Sequence, residues 1–288
     1  MAPILVTGAT GNVGRALVQN LKANGVEPRV TARPGGVAEE STGDVVRFDF
    51  TDPSTWSVAF DGVESMFLMR PPAIGNVRRD LVPAVEAARA AGVRHVVFLS
   101  LQGAGKNRVV PHAAVEKWLR SSGLTWTFVR ASYFNQNLSS THAPDIRDRD
   151  EIVIPAGHGA TAFVDVEDVG EVAAQALLDP AAHAGAAWTV TGPRALTFGE
   201  VADILTEELG RPIRYTRPGV LRYVRHAHGE LGLPWAMVAV TSAIYTTARL
   251  GLAAGLTSDA ETVLGRAPID FTAFAHRERQ AWTRRPAS

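Results

Sequence analysis

Three glycines near the start of the chain have a spacing that is typical of a phosphate-binding turn. They follow the apolar run Ile4–Thr7 directly and open Asn12–Ala23, a segment with helical spacing. Glycine permits the positive φ of a tight turn and lets backbone amides approach a phosphate closely. A helix N-terminus also attracts anions. The pattern predicts a dinucleotide pyrophosphate site rather than an empty structural turn, and its residues are Gly8, Thr10, Gly11, Asn12, Val13 and Gly14.

The residue type at the end of the second predicted strand bears on which dinucleotide binds. Sites that prefer NAD place an acid about twenty residues past the glycines, where it accepts from the ribose hydroxyls. This chain has Arg33 at that position, and the first acid after it is Glu39. A guanidinium pairs with a 2′-phosphate and stacks on adenine. Arg33 therefore favours NADPH over NADH, the alternative being a solvated surface arginine.

Residues at the ends of the later strands are expected to complete the cofactor site. A carboxylate after the third strand could accept from the adenine amino group, beside an aromatic ring. The segment after the fourth strand would pass the riboses, and a serine ending the fifth would lie near the nicotinamide. In chain order these residues are Asp49, Phe50, Met69, Arg70, Pro71 and Ser100.

The elements that must position these residues alternate between short apolar strands and helices. Such alternation implies parallel crossovers, and strands that are apolar throughout are typical of a sheet covered on both faces. The predicted fold class is α/β, a doubly wound parallel Rossmann sheet with a smaller, mostly helical C-terminal substrate lobe. The predicted strands are Ile4–Thr7, Arg29–Thr31, Val45–Phe48, Ser65–Met69, His95–Leu99 and Trp126–Val129, with helices at Asn12–Ala23, Val77–Ala91 and His112–Ser121.

The rhythm loosens after about residue 133. Residues 139–160 are polar and are expected to be loops over a binding cleft. We assign 1–135 to the Rossmann domain, with later returns around 160–192, and 136–288 mainly to the substrate lobe. Further elements are predicted at Val164–Leu178, started by Asp165 or Asp168, at Trp188–Thr191, at Phe198–Leu209 with a Thr197–Glu200 capping box, at Ile213–Tyr215, and as one or two helices within Leu231–Leu256.

Composition excludes several classes of function. Lys plus Arg and Asp plus Glu both number 29, and without a basic excess a nucleic-acid partner is not expected. There are no cysteines, which excludes disulfides, thiolate nucleophiles and cysteine-ligated zinc. His226 and His228 lack a clear third ligand, so a surface pair is favoured over a metal site.

Targeting signals are also not evident. The N-terminus lacks the basic segment and long apolar core of a signal peptide. The apolar stretch Leu231–Leu256 contains Pro234 and Arg249, which makes it a poor bilayer span. We expect a soluble cytoplasmic protein whose partner is a small-molecule substrate, with a homodimer left open.

Several segments carry a resemblance to a known family. ILVTGATGNVGRALVQNL, at the start, resembles the atypical short-chain dehydrogenases/reductases. HAAVEKWLRSSGLTWTFVR, beginning at His112 and continuing to Phe134 and Asn137, resembles the NmrA-like group, to which type 2 quinone oxidoreductases belong. FVDVEDVGEVAAQAL, WTVTGPRALTFGEVADIL and LGRAPIDFTAFAHRERQAW fit the same group, so the resemblance covers nearly the whole chain.

The resemblance implies one of two roles. Some members reduce quinones, isoflavonoids or similar carbonyl compounds with NADPH, and others sense the dinucleotide and regulate a partner protein without turnover. Ordinary short-chain reductases use a Tyr-x-x-x-Lys pair. Counting back from Gly123 puts His112 at the lysine position and Arg108 at the tyrosine position, which argues against ordinary alcohol dehydrogenase chemistry.

His112 is the candidate catalytic residue that remains. It could hydrogen-bond the cofactor ribose or the substrate oxygen, and a histidine can supply a proton near neutral pH. Glu116, one helical turn later, could orient it. The alternative is a residue that only hydrogen-bonds locally at a helix start. Expected substrate contacts are Gln102, Tyr133, Phe134 and Asn137.

Reduction of a quinone or a related aromatic or enone carbonyl by NADPH is the favoured function. A quinone needs little acid catalysis because its product is an aromatic hydroquinone, so the site must mainly hold two planar groups face to face. The first alternative is an NADP(H)-sensing regulator. The second is an isomerase or epimerase that oxidises its substrate transiently, with His112 as the base.

Overall fold

The computed structural model describes residues 3–32, 43–107 and 110–284. The chain forms two compact units. The first comprises Met1–Ala131, Val166–Val190 and Asp259–Arg266, and the second comprises Ser132–Asp165, Thr191–Ser258 and Ala267–Ser288.

The described strands and helices follow the chain in this order. The strands are β1 (Ile4–Val6), β2 (Arg29–Ala32), β3 (Val45–Arg47), β4 (Ser65–Met69), β5 (His95–Leu101), β6 (Thr125–Ala131), β7 (Tyr133–Phe134), β8 (Glu151–Ile152), β9 (Ala160–Val164), β10 (Ala187–Val190), β11 (Ala195–Thr197) and β12 (Arg214–Tyr215). The helices are α1 (Asn12–Ala23), α2 (Trp56–Phe60), α3 (Val77–Asp80), α4 (Val82–Ala91), α5 (Pro111–Ser121), α6 (Gln136–Ser139), α7 (Ala143–Arg149), α8 (Val166–Leu178), α9 (Pro180–His183), α10 (Phe198–Leu209), α11 (Val220–Gly229), α12 (Trp235–Arg249), α13 (Asp259–Leu264) and α14 (Phe271–Arg277), with 3-10 turns at Pro53–Thr55 and Arg279–Trp282.

The first unit is built on a seven-stranded sheet in the order β10-β6-β5-β4-β1-β2-β3. Every neighbouring pair in this sheet is parallel. The chain leaves β1 toward β2 and β3 and then returns to the other side of β1 at β4, so the strand order reverses there. The predicted doubly wound parallel sheet is confirmed, and the later strand predicted near Trp188 is β10, which lies beside β6.

Apolar side chains cover both faces of this sheet. On one face Leu5, Phe98 and Phe128 belong to a buried cluster that also includes residues of α2, α4 and α5. Helices α1 and α8 pack against each other closely, because a Cβ added at Gly170 would lie only 2.7 Å from the Cβ of Ala16. The glycine in α8 is therefore explained by helix packing.

Two predicted helices have different bounds from those expected. The helix predicted over Val77–Ala91 is two helices, α3 and α4, which meet at Leu81. Pro83 lies in the first turn of α4, where proline is tolerated because it needs no amide donor. The helix predicted from Val164 begins at Val166, and Val164 ends strand β9.

The second unit contains two small sheets among helices. Strands β11, β9 and β7 form one sheet, and β12 pairs with β8 in the other. The prediction of loops over residues 139–160 was wrong, because this segment contains α7, β8 and the start of β9. Helix α7 has only seven residues, too few to show a periodic pattern, and buried Ile146 and Asp145 anchor it.

Two further predictions concern helices of the second unit. The capping box of α10 is confirmed: Thr197 Oγ1 accepts from the Glu200 amide at 3.2 Å, and Glu200 Oε2 accepts from the Thr197 amide at 2.7 Å. Within Leu231–Leu256 there is one helix, α12. Among the described helices, none combines the length and the apolar character that a membrane crossing requires.

Candidate functional site

The glycine-rich turn joins β1 to α1 in the first unit. Gly8 has a φ of 69°, and the Gly11 amide donates to the Gly8 carbonyl at 3.0 Å, which closes the turn. Gly11 is the N-cap of α1, and within the described structure no side chain caps this end and no acid lies in the first turn. The first amides of α1 and the positive end of its dipole therefore suit an anion.

Each of the three positions in the turn is occupied by glycine for a different structural reason. A Cβ on Gly14 would lie 2.2 Å from the Gly8 carbonyl oxygen, so the packing of α1 on the turn requires glycine there. Gly8 needs its positive φ. Gly11 has an extended backbone, and a Cβ there would meet only the Gly8 oxygen at 3.4 Å, an ordinary contact. A ligand that approaches the backbone would explain this glycine, so the turn fits a phosphate.

The residues between these glycines present mainly backbone. Val13 is buried, so only its amide can serve a ligand. Thr10 and Asn12 are exposed, and Asn12 Oδ1 accepts from Arg15 Nη2 at 2.9 Å. The predicted pyrophosphate residues thus lie in sequence along the turn and the first turn of α1.

A threonine joins the two strands at which the sheet order reverses. Thr7 Oγ1 donates to the Phe67 carbonyl at 2.9 Å and accepts from the Met69 amide at 2.9 Å. The Met69 side chain lies against the glycine turn, because a Cβ on Gly8 would fall 2.0 Å from its Cε. The carboxyl ends of β1 and β4 are the crevice where doubly wound folds bind ligands. Sequence analysis missed Thr7, whose one signal was a polar side chain that ends an apolar strand.

Arg70 braces the loop after β4. Its Nη1 donates to the carbonyls of Pro71 at 2.9 Å and Ile74 at 2.7 Å. Its Nε is buried and has no partner among the described residues, and burial lowers the pKa of the guanidinium. A buried donor without a partner is costly. A ribose or phosphate oxygen beside half-buried Pro71 would satisfy it.

His112 lies in the first turn of α5, with its ring 5.9 Å from that of Phe98. Its Nδ1 is a second buried polar atom that finds no partner in the described part of the chain. Burial and the nearby charge of Arg70 lower the pKa of His112 to about 4, against the opposing effect of Glu116. The imidazole is therefore neutral at pH 7. It can accept or donate one hydrogen bond, but it does not carry the extra proton that an acid catalyst near neutral pH needs.

The depressed histidine pKa values can be tested directly. We expect His95, His112 and His142 to stay neutral from pH 8 to 5, because burial lowers the pKa of each to about 4. Since the unfolded chain takes up these protons near pH 6.5, stability is greatest above that pH and falls as the pH drops toward 4. NMR titration of the imidazole Cε1–H signals, assigned with single His→Asn variants, measures each midpoint. A midpoint near 6.5 for any of the three would contradict the burial argument.

Glu116 does not orient His112 as expected. Its carboxylate is fully buried and accepts from Ser100 Oγ at 2.7 Å, from Arg130 Nε at 2.9 Å and Nη2 at 2.6 Å, and from Arg120 Nη2 at 3.0 Å. These donors come from β5, β6 and α5 and satisfy the carboxylate completely, so it is not available to His112. The hydroxyl of Ser100, predicted near the nicotinamide, donates its hydrogen bond to Glu116.

The residues predicted at the adenine have partners within the protein. Asp49 Oδ1 accepts from the amide and hydroxyl of Thr51, both at 2.7 Å, which forms a local turn. Phe50 is 7% exposed, and its ring packs edge-on against Phe48 at 4.8 Å. The ring belongs to the core of the first unit, so its contact with a cofactor stays a prediction. Arg33 and Arg108 lie outside the described residues.

The predicted substrate residues divide between the units. Gln102 belongs to the first unit, and its backbone N–H donates to the Ala131 carbonyl at 2.9 Å. Tyr133, Phe134 and Asn137 lie together on β7 and α6 of the second, each partly buried. The Tyr133 hydroxyl is 3.0 Å from that of Tyr245.

Other polar residues singled out in the sequence have structural partners. His226 Nε2 lies 2.7 Å from Asp145 Oδ2, and the ring of His228 stacks on Trp235 at 4.0 Å. No group of three or more histidines and acids able to hold a metal occurs in residues 3–32, 43–107 and 110–284. Asp165 accepts from Gln136 and Arg277, and Asp168 pairs with Arg266.

The known proteins that this chain resembles include several named as reductases. An NAD(P)H azoreductase of Xenophilus azovorans is 32% identical over 282 residues, which cover 94% of this chain and 96% of the relative. A (4-alkanoyl-5-oxo-2,5-dihydrofuran-3-yl)methyl phosphate reductase of Streptomyces griseus is 36% identical over 224 residues, 75% of this chain and 77% of the relative. The NADPH-dependent quinone oxidoreductase QOR2 of Escherichia coli, solved with NADPH, has the same fold, with a TM-score of 0.84 and 22% identity over 96% of this chain and 99% of that one.

The family predicted from sequence motifs is confirmed by a match over most of the chain. The model of the NmrA-like family matches residues 2–226, which include the glycine turn and the segment that begins at His112. With the parallel sheet and the azoreductase relative, this match shows that the chain belongs to the NmrA-like family.

Proposed function

We propose that this protein is an NADPH-dependent reductase of a quinone or a related aromatic or enone carbonyl compound. It is an oxidoreductase, and its cofactor is NADP(H). The observation that carries the assignment is Gly11, a glycine that the protein's own packing does not require, at the uncapped start of α1. The relatives named as reductases support the same class of reaction.

The residues of the first unit hold the cofactor. Backbone amides of residues 10–13 bind the pyrophosphate, and the buried Nε of Arg70 and Nδ1 of His112 supply two polar atoms that lack protein partners among the described residues. The bound cofactor supplies the hydride. We assign the second unit, which includes most of residues 136–288, to the substrate.

The missing Tyr-x-x-x-Lys pair favours an acceptor that needs little acid catalysis. A quinone becomes an aromatic hydroquinone on reduction, so the reaction gains its driving force from the product. The neutral imidazole of His112 can then act as a hydrogen-bond partner rather than as an acid. The substrate oxygen would take its proton from water.

The test is turnover by the purified protein. Loss of the absorbance of NADPH is followed with menadione, 1,4-benzoquinone, an azo dye and a simple enone, each against a control without protein. Turnover with one quinone or aromatic acceptor supports the proposal. Tight NADP(H) binding with no turnover across the panel overturns it and favours the dinucleotide-sensing regulator, whose association with a partner would then change with cofactor redox state.

Cofactor preference gives a second prediction. We expect Arg33→Ala to weaken NADPH binding about tenfold or more and to leave NADH binding nearly unchanged, because one charge-assisted contact to the 2′-phosphate is lost. Calorimetric titration of each cofactor into the wild type and the variant measures this, with Arg222→Ala, at an exposed arginine of α11 in the second unit, as the surface control. Equal effects on both cofactors would contradict the role of Arg33.

A further inference from the structure

Three side chains of the second unit, His142, Tyr245 and Tyr133, are linked in a row by hydrogen bonds. His142 Nε2 lies 2.7 Å from the Tyr245 hydroxyl, which lies 3.0 Å from the Tyr133 hydroxyl. His142 is 1% exposed and Tyr245 is 2% exposed, whereas Tyr133 is only partly buried. The hydrogen bonds therefore link the buried His142 to a partly buried tyrosine that is predicted to contact the substrate.

The direction of these hydrogen bonds follows from the histidine. Its Nδ1 is buried and has no partner within the described ranges. An unpartnered N–H would cost more than an unpartnered lone pair, so the single proton of the neutral ring is on Nε2. Burial and the charge of His226 lower the pKa of His142 to about 4, which keeps the ring neutral.

Each donor then fixes the next. Nε2–H of His142 donates to Tyr245, and Tyr245 donates to the oxygen of Tyr133, so the hydroxyl proton of Tyr133 points away from the chain. Tyr223 donates its own proton to Thr241 at 2.8 Å, so it is not a donor to Tyr245. Its oxygen is a second acceptor beside Tyr245, and we assign the Tyr245 proton to the 3.0 Å contact with Tyr133. The rings of Phe163 and Phe198 meet Tyr133 edge-on at 5.4 and 6.0 Å and hold it in place. The side-chain amide of Asn137 is another polar group beside the Tyr133 hydroxyl.

We propose that Tyr133 donates a hydrogen bond to the substrate oxygen on which negative charge develops, with Tyr245 and His142 as positioning residues. This inference rests on the proposed reductase function. Tyr133 follows the last residue of β6 by two positions in the chain. It is a tyrosine hydroxyl in a chain whose usual tyrosine position is Arg108.

The chemistry is stabilisation of an oxyanion without proton transfer from the protein. When a carbonyl compound accepts a hydride at its carbonyl carbon, or an enone or quinone accepts one at a conjugated carbon, an electron pair moves onto the carbonyl oxygen, which becomes an alkoxide or enolate oxyanion. In a quinone the added hydrogen then leaves the ring carbon as a proton and the second oxygen gains one, which gives the aromatic hydroquinone with one net proton from water. A donor already polarised by two further hydrogen bonds stabilises that charge. The oxyanion then takes one proton from water, because refilling Tyr133 through the chain would leave His142 as an anion. Burial raises the pKa of Tyr133 and Tyr245, which keeps both hydroxyls protonated.

The first test removes the terminal hydroxyl. We expect Tyr133→Phe to lower kcat for menadione about 30-fold or more, with KM changed less than about threefold, as for loss of one oxyanion donor. The matched control is Tyr215→Phe. Tyr215 packs near Phe198, and its hydroxyl donates to the Ile154 carbonyl at 2.9 Å, so it takes no part in the hydrogen bonds among His142, Tyr245 and Tyr133. The kcat of Tyr215→Phe should therefore stay within about twofold of the wild type.

A binding measurement separates this inference from turnover. With NADP⁺ present, 4-nitrophenolate mimics the oxyanion, and its absorbance reports binding. We expect Tyr133→Phe to weaken its affinity about tenfold, with Tyr215→Phe unchanged and NADPH affinity equal in all three proteins. If the wild type reduces quinones but Tyr133→Phe keeps full kcat and phenolate affinity, the inference is wrong and the proposed function stands. If no quinone is reduced, the proposed function fails and phenolate binding alone decides the role of Tyr133.

A matched pair of substitutions at His142 tests the positioning residues. His142→Gln retains an N–H donor near the position of Nε2, whereas His142→Leu removes it. We expect His142→Leu and Tyr245→Phe to lower kcat about three- to tenfold and His142→Gln to restore it to within about twofold. Equal loss of kcat in the Gln and Leu variants would show that His142 only fills space, and would contradict its positioning role through Tyr245.

Discussion

Gly11→Ala is expected to abolish tight NADPH binding while the protein stays folded, and Gly14→Ala is expected to unfold it more easily. The two substitutions add the same methyl group three residues apart. At Gly11 that methyl meets only the Gly8 carbonyl oxygen at 3.4 Å, whereas at Gly14 it would lie 2.2 Å from the same oxygen and 2.8 Å from the Ala9 Cα. These are backbone atoms, so no side chain can move aside.

The expected magnitudes follow from these contacts. Displacing the pyrophosphate from two amide donors raises the Kd for NADPH about 100-fold. An alanine N-cap costs about 1 kcal/mol, so Tm falls by only about 3 °C. Overpacking at Gly14 costs about 3 kcal/mol and lowers Tm by about 5–10 °C.

Calorimetric titration with NADPH and thermal unfolding without cofactor measure the two effects separately. We predict that Gly11→Ala loses mainly NADPH affinity and that Gly14→Ala loses mainly thermal stability, so each variant serves as the control for the other. Unchanged NADPH affinity in Gly11→Ala would remove the main support for a phosphate at this turn. A Gly14→Ala protein as stable as the wild type would contradict the close packing of α1 on the turn.

The sheet of the first unit could be predicted because its signals are local. Each strand is a short apolar run bounded by turn residues, and Gly8 marks the end of the first. Local patterns failed at Leu81, where the helical spacing continues through a break, and in residues 139–160. There, α7 is stabilised by contacts with distant segments, such as Asp145 with His226 of α11, and no periodic pattern reveals such contacts.

The candidate site divides in the same way. The glycine turn was predictable because its conformation depends on residue types and their spacing, which are local in the sequence. The partners of Ser100 and Glu116 were not, since the network forms only when β5, β6 and α5 come together. The neutral state of His112 also depends on burial and on Arg70, which are distant in sequence. Sequence patterns thus located the residues but not their protonation or hydrogen-bond partners.

Removal of the Glu116 carboxylate is the second substitution with a large expected effect. The group is fully buried and its two oxygens accept from Ser100, Arg120 and Arg130, and the Arg130 side chain is only 17% exposed. Glu116→Ala leaves that guanidinium buried without its counter-charge, which costs about 3–5 kcal/mol. We expect Tm to fall by about 10 °C.

Glu116→Gln tests the charge separately from the shape. The amide keeps one acceptor oxygen but places an N–H₂ group against Arg130, so a loss between those of the wild type and Glu116→Ala is expected. The control is Glu200→Gln, the same change at the exposed capping box of α10, which should cost about 1 kcal/mol or less. Equal losses at both positions would show that the buried network adds nothing beyond an ordinary cap.

The same carboxylate gives the protein a specific acid lability. Burial acts to raise the pKa of Glu116, but hydrogen bonds from Arg130 and Ser100 outweigh it and hold the pKa below the ordinary 4.5. A folded pKa below the unfolded value means that the stabilisation is complete above pH 4.5 and is lost as the pH falls through the folded pKa. Thermal unfolding between pH 6 and 3 should therefore show a loss below 4.5 that is absent in Glu116→Gln. Because the buried histidines act mainly between pH 6.5 and 4, the two contributions separate along the pH axis, and parallel curves for wild type and variant below pH 4.5 would exclude this role for Glu116.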